Sequence, residues 1–178
     1  QYAPTQADIA QVDSRLRNKA EKLDKLTAED IAEFNLSYSN VELKAIQNKQ
    51  LGQAKARIEA AKDASASRYA PRALKNAEVD YGTAVNLIKA NRNDKDTYMM
   101  QVAQANKSAM LLTAILAETN RGARDEGVAT KVVMQNEKIK SLSTQLDSVS
   151  DEKSQLAQEK ERLNAVNSDL NVAVASQN

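Results

Sequence analysis

The chain of 178 residues contains no cysteine, no histidine and no tryptophan. Without cysteine or histidine it has no disulfides, no Cys or His metal ligands, no thiol nucleophile and no histidine general base. One phenylalanine and five tyrosines are too few to fill a wide aromatic core. We therefore expect a non-enzymatic protein with no catalytic residue, no metal site and no cofactor.

Residues that break helices are also scarce, since the chain has two prolines and four glycines. Ala, Leu, Lys, Glu, Gln and Arg, which have the highest helix propensities, dominate the rest of the sequence. An alanine-rich composition suits thin helical layers in which the backbones approach closely. The sequence therefore predicts an all-α protein, in which an antiparallel helical bundle is followed by a long coiled-coil helix.

Two further absences limit the possible partners. The 25 basic and 24 acidic side chains alternate along the chain and form no basic patch. A nucleic-acid partner is therefore not expected. No apolar run approaches the roughly 18 residues that a spanning helix needs, so we expect no membrane-spanning segment in this chain.

A heptad pattern occupies the last third of the chain, where steps of three and four residues alternate without a slip. Of its two rows, one is apolar throughout and the other is polar in its centre. We name this series the C-terminal seam: Ile139, Leu142, Leu146, Val149, Lys153, Leu156, Lys160, Leu163, Asn167, Leu170 and Val174. A narrow seam of this period requires a partner helix. It therefore predicts a protein partner, or self-association, through a coiled coil.

The polar seam residues Lys153, Lys160 and Asn167 leave three interpretations open. Polar core residues select register and a low oligomer number, and Asn167 is typical of a two-stranded parallel pair. The same residues also fit a marginal rod that pairs weakly, or only when tethered. In the third interpretation, the first helix packs against part of the long helix of the same chain. That helix has its own series: Ile9, Val12, Leu16, Lys19, Leu23 and Leu26.

The sequence before the seam predicts a bundle over residues 1–121. Four helices are expected, at about 5–26, 28–66, 71–90 and 94–120. Within the second helix, residues 35–40 have weak helix propensity, and we expect a loop or distorted turn there. The predicted core faces are Leu51, Ala54, Ile58 and Ala61; Leu74, Ala77, Tyr81, Ala84 and Ile88; and Tyr98, Val102, Ala105, Ala109, Leu112 and Leu116.

Several boundaries rest on local signals. Thr5 is expected to cap the first helix, and Asn93 or Asp94 the fourth. Two glycines, Gly122 and Gly127, lie within six residues of each other. They predict a hinge over 122–127, followed by a coiled-coil stalk over 128–178.

Adjacent carboxylates and a Tyr-Met-Met run are the remaining candidate sites. The acidic pairs lie near predicted helix starts or turns, where negative charge is favourable, and we interpret them as caps. These pairs are Glu29 with Asp30, Asp94 with Asp96, Asp125 with Glu126, and Asp151 with Glu152. Tyr98, Met99 and Met100 are expected to pack against a neighbouring helix, as are Tyr69 and Tyr81.

The middle of the chain, from about residue 58 to 120, contains a series of tyrosines and small apolar residues at helical spacing: Ile58-x-x-Ala61, Tyr69-Ala70-Pro71-x-x-Leu74-x-x-Ala77, Tyr81, Ala84, Tyr98, Ala103, Ala105 and Ala109. In this series the chain resembles a helical domain of Gram-negative envelope proteins. That domain is found N-terminal to OmpA-like peptidoglycan-binding domains, in some cases in lipoproteins. The family offers no catalytic residues to carry over. Neither the lipid-bearing cysteine nor the peptidoglycan-binding domain is present in these 178 residues.

The resemblance implies a periplasmic spacer or interaction module, tethered to the outer membrane in the full-length protein. It would set the distance between that membrane and peptidoglycan, and peptidoglycan would be bound only by a domain absent from this chain. The alternatives are a periplasmic sensory or adaptor module that signals through the coiled coil, and a cytosolic coiled-coil scaffold.

Overall fold

The computed structural model describes residues 3–20, 27–123 and 125–175. Within these ranges the protein is all-α and contains no strand. The elements are α1 (Ala3–Ala20), α2 (Ala28–Asp63), α3 (Ala66–Tyr69), α4 (Pro71–Ala90), α5 (Lys95–Glu118), a π-helical turn (Thr119–Ala123) and α6 (Glu126–Ala175). They fall into two compact units, Gln1–Thr130 and Lys131–Asn178. The predicted all-α bundle with a long C-terminal helix is confirmed.

The first unit is built on the packing of α2, α4 and α5. The contacts between α4 and α5 run in opposite directions along the two helices. Near the turn, Ile88 and Tyr98 share one core cluster, whereas farther from it Gln104 and Ser108 both donate hydrogen bonds to Asp80. Helices α4 and α5, which are joined by the four residues 91–94, therefore form an antiparallel pair, as expected for so short a connection.

Alanine lines the places where the three helices approach. Ala54, Ala77, Ala84, Ala105 and Ala109 are all fully buried. Larger side chains then fill the gaps, and the largest fully buried ones are Leu51, Ile88 and Leu112. Every residue of the three predicted core faces is buried, apart from the half-buried Tyr81. The helical spacing of apolar residues thus located the core correctly.

Helix α1 packs against α2 in antiparallel fashion, through polar contacts that run along both helices. Lys44 contacts Asp8 at one end, whereas Lys19 contacts Asp30 at the other. Between them, Arg15 pairs with Glu33, and the Tyr38 hydroxyl donates to Asp13 Oδ1 at 2.6 Å. The partner that the structure gives to the first helix is therefore α2. Leu23 and Leu26, which were predicted to extend its stripe, lie outside the described residues.

The expected loop at residues 35–40 was wrong, because α2 continues through them without a break. Tertiary contacts outweigh their weak helix propensity. Phe34 is buried directly before this stretch. Within it, Tyr38 bonds to α1, and both the carbonyl and the hydroxyl of Ser39 accept bonds from Arg92 at the end of α4.

Other local predictions also need correction. Thr5 lies inside α1, which begins at Ala3, so it does not cap that helix. Tyr69 is exposed beside Arg68, with the guanidinium carbon 5.4 Å from the ring centre. Met100 is 84% exposed and faces away from the core that buries Tyr98. A helix of this kind buries one stripe, and Met100 lies two positions from Tyr98, off that stripe.

Candidate interaction surface

The start of α6 is fixed by two carboxylates. Asp125 Oδ1 accepts a hydrogen bond from the Val128 backbone N–H at 3.0 Å, so Asp125 caps the new helix. The carboxylate of Glu126 accepts backbone N–H groups of α4, from Ala73 at 2.7 Å and from Arg72 at 3.2 Å. Both contacts lie within the first unit.

The contact of Glu126 with α4 was not predicted, although the sequence contains its signal. Helix α4 begins at Pro71, and its N-cap position is held by Ala70, whose side chain has no acceptor. Its first N–H groups therefore need an acceptor from elsewhere in the chain. An anionic side chain suits this position because it also complements the helix dipole.

The two glycines of the predicted hinge have different surroundings. Gly122 lies in the π-helical turn with a φ of 123°, a left-handed backbone conformation that favours glycine. Gly127, by contrast, lies in the first turn of α6, which begins at Glu126. A Cβ added there would lie 2.9 Å from Asp125 Oδ1, the capping atom. Helix α6 thus includes the last two residues of the expected hinge.

The C-terminal seam lies on one continuous helix. Within Lys131–Asn178, α6 extends unbroken to Ala175 and carries every seam residue in helical register. The side chains of its apolar members from Ile139 to Leu170 are between 53% and 71% exposed. Lys153, Lys160 and Asn167 are exposed as well. The side chain of Val174 lies outside the described residues.

This exposure is unusual for a structured helix. A helix in a globular protein places its apolar stripe against the core, whereas here the stripe is open along more than thirty residues (about 45 Å at 1.5 Å per residue). Large contiguous apolar surface of this kind marks an interaction site. The C-terminal seam is therefore the candidate functional site of the described chain.

In three of the four acidic pairs, one member caps the helix that begins beside it, as predicted. Thr27 and Asp30 form a reciprocal capping box at α2, and Asp94 accepts the Thr97 N–H at the start of α5. Asp125 and Glu126 cap α6 and α4 respectively, as described above. The interpretation was wrong for Asp151 and Glu152, which lie exposed in the middle of α6, because no helix begins there.

The pKa shifts within the bundle have structural causes. Hydrogen bonds from the Lys19 ammonium, which has the largest effect, and from Thr27 lower the pKa of Asp30 below its ordinary value of 3.8. The hydrogen bond to Glu78 raises the pKa of Lys62. The bond to Asp13 raises the pKa of the Tyr38 hydroxyl. Each of these three shifts comes from a contact between helices or from a helix cap.

A cleft of about 490 Å³ lies between α1 and α2. It is lined by Ile9, Asn35, Tyr38, Ser39, Val41, Glu42 and Ala45. Its volume falls within the range of small-molecule sites. Among the residues that the structure describes, no group of three or more acidic side chains is placed to hold a metal ion. None of the described helices is long and apolar enough to cross a membrane.

Comparison with protein-family models, with curated proteins and with solved structures gives no match to this chain.

Proposed function

We propose that this chain is a non-enzymatic spacer and interaction module, in which α6 both sets a length and binds a partner helix. The observation that carries the proposal is the exposed C-terminal seam on an unbroken helix of 50 residues. Such a helix is about 75 Å long at 1.5 Å per residue. A seam that is exposed in one chain provides the contact through which a second helix stiffens the rod.

The first unit also fixes the beginning of α6. Its small side chains give a tightly packed bundle, and Glu126 joins the beginning of α6 to the N-terminus of α4. Because the carboxylate bonds to two consecutive N–H groups, it fixes the starting residue of the helix. A spacer needs a defined attachment point as well as a defined length.

We place this module in the periplasm of a Gram-negative cell, as part of an outer-membrane protein with an OmpA-like peptidoglycan-binding domain. The support is the resemblance of residues 58–120 together with a long helix after them. In that setting the helix would hold peptidoglycan at a set distance from the outer membrane. Sequencing the gene on both sides of these 178 residues tests the placement, and a gene without an OmpA-like domain would contradict it.

The spacer role is tested by a distance measurement on α6. The chain has no native cysteine, so Ser141→Cys and Ser168→Cys can carry two spin labels at exposed positions outside the seam. These residues are 27 positions apart, which gives about 40 Å along a continuous helix. Doubly labelled chain is diluted into excess unlabelled chain, so that only distances within one chain are recorded. A narrow distribution near this value is expected, whereas a broad and shorter one would refute the spacer.

A second candidate function is a sensory or adaptor module that signals through α6. The cleft between α1 and α2 favours it, because it is large enough for a small ligand. The sequence of the same gene beyond residue 178 distinguishes the two candidates. A transmembrane helix followed by a cytoplasmic signalling domain supports the sensor, and an OmpA-like domain supports the spacer.

A further inference from the structure

We infer that the partner of the C-terminal seam is a second copy of this chain, aligned in parallel and in register. This inference deepens the proposed spacer function and rests on it. Three polar residues of the seam and two glutamates beside it support this arrangement.

Within the part of the chain that the structure describes, the two lysines of the seam have no carboxylate partner. Across the described residues of α6, no ion pair joins Lys153 or Lys160 to a carboxylate, and the pair that does occur joins Arg162 to Glu159. Burying an ammonium group against a purely apolar helix is costly, because the charge loses its water without gaining a partner. The occupant of the seam must therefore supply carboxylates at two positions seven residues apart.

This chain has carboxylates at that spacing. Glu152 directly precedes Lys153, and Glu159 directly precedes Lys160. Neighbours in sequence point to different sides of a helix, so these glutamates flank the seam and do not face the lysines of their own chain. In a parallel in-register pair, each core side chain enters a hole formed by four residues of the facing helix. The residue that precedes its counterpart is one of those four.

Lys153 of one copy therefore lies beside Glu152 of the other, and the same holds for Lys160 and Glu159. Each such layer contains two lysines and two glutamates, so its net charge is zero. Complementary charges at flanking positions determine which helices pair and in which orientation. The seam is thus complementary to itself in this arrangement.

Asn167 selects the same register. When two copies are aligned, Asn167 meets Asn167 and the two amides can bond to each other. A shift by one heptad would place Asn167 against Lys160, and Lys153 against the apolar Leu146. A single asparagine in a core position is known to fix register and favour two strands at some cost in stability.

An antiparallel pair is less favourable. In that arrangement, residues of the polar row lie against residues of the apolar row, so both lysines would contact leucine or valine. The flanking glutamates lie on the same side of the seam and would meet each other. Like charges at flanking positions oppose pairing.

Sedimentation equilibrium of the whole 178-residue chain over a range of concentrations tests the pairing itself. We expect a shift from the 19.5 kDa of one chain to twice that mass as concentration rises. A single-chain mass at every concentration would overturn the inference. If the doubly labelled α6 still gave its narrow distance, the spacer would stand while self-pairing failed.

Two charge-reversed chains test the role of the layers. Glu152→Lys with Glu159→Lys makes both layers wholly positive, and Lys153→Glu with Lys160→Glu makes them wholly negative. Each variant alone should dimerise more weakly by at least about tenfold, because like charges then meet. An equimolar mixture should dimerise again, since opposite charges are restored across the pair. Recovery on mixing excludes misfolding of either variant, and failure to recover would overturn the assignment of the lysines to the partner's glutamates.

Orientation is tested with single spin labels on Ser141→Cys or Ser168→Cys. In a parallel pair, both positions give short distances between copies, about 20–30 Å for helices packed 8–10 Å apart. In an antiparallel pair centred on the seam, each gives about 40 Å, because residue 141 then lies opposite residue 168. The longer distance at both sites would overturn the parallel arrangement.

Discussion

Replacing a fully buried leucine tests the proposed core of the first unit most directly. Leu112 lies on α5, which packs against both α2 and α4, and its side chain is 0% exposed. Leu36 on α2 is a matched control in the same unit, because its side chain is 62% exposed. Leu112→Ala and Leu36→Ala delete the same atoms from the middle of a helix, one inside the core and one outside it.

The expected difference can be worked out from burial. The substitution removes three carbon groups, and at about 0.8 kcal/mol each their transfer to water costs about 2.4 kcal/mol at Leu112. The cavity left behind adds up to about 2 kcal/mol, depending on how far α2 and α4 close over it. We therefore expect Leu112→Ala to lower the free energy of unfolding by about 2.5–4.5 kcal/mol. Leu36→Ala should change it by less than about 0.5 kcal/mol.

Tyrosine fluorescence is the appropriate signal. All five tyrosines, at positions 2, 38, 69, 81 and 98, belong to the first unit, and the second unit has none. Urea unfolding followed by this signal therefore reports on the bundle without a contribution from the tyrosine-free part of α6. Midpoints convert to free energies when the slope with urea is the same for both variants.

Equal losses of stability in the two variants would refute this prediction. Such a result would mean that Leu112 does not lie in a packed core, or that Leu36 is covered by a contact that its exposure does not reveal. A changed urea slope in one variant alone would instead indicate that the two-state comparison fails.

Three further predictions use the same urea assay. Gly82→Ala should stabilise the bundle by about 0.5–1 kcal/mol, because residue 82 is helical and an added Cβ would meet nothing within 4 Å. Gly122→Ala should destabilise the bundle by about 1–3 kcal/mol, because residue 122 has a φ of 123°. Equal effects of the two substitutions would contradict this difference in backbone conformation. Because the pKa of Asp30 is lowered in the folded state, the ionised carboxylate stabilises the fold above pH 3.8, and this stabilisation is lost as pH falls through the folded-state pKa. Asp30→Asn should therefore make the free energy of unfolding depend less on pH in acid. An unchanged pH dependence would rule this out. Glu126→Ala should lower the free energy of unfolding by about 1–2 kcal/mol, because two N–H groups of α4 lose their acceptor, and an unchanged stability would disprove the contact.

The sequence was least informative about contacts between distant residues. The helical course of residues 35–40 depends on Tyr38 reaching α1 and on Ser39 meeting Arg92, 53 positions away. The bond from Ala73 to Glu126 spans a similar separation. Local propensity contains no term for such contacts, so a stretch that looks weakly helical by itself can be held in a helix by its neighbours.

The seam and the helix caps, in contrast, could be predicted from the sequence. The heptad spacing from Ile139 to Leu170 is a property of the chain order, and any continuous helix places those side chains on one face. Capping by Thr27 and Asp94 likewise depends on residues three positions away. Their positions followed from the sequence because they require no knowledge of distant segments.

By itself, then, the sequence determined the helix type, the faces that become core and the apolar row of the C-terminal seam, because each depends on spacing along one helix. Only the tertiary structure decided that α1 packs on α2 and that Glu126 completes the N-terminus of α4. It also decided that the seam from Ile139 to Leu170 stays exposed. These features depend on which surfaces meet in space, and the free energy of such meetings is set by burial and complementarity across elements that are far apart in the chain.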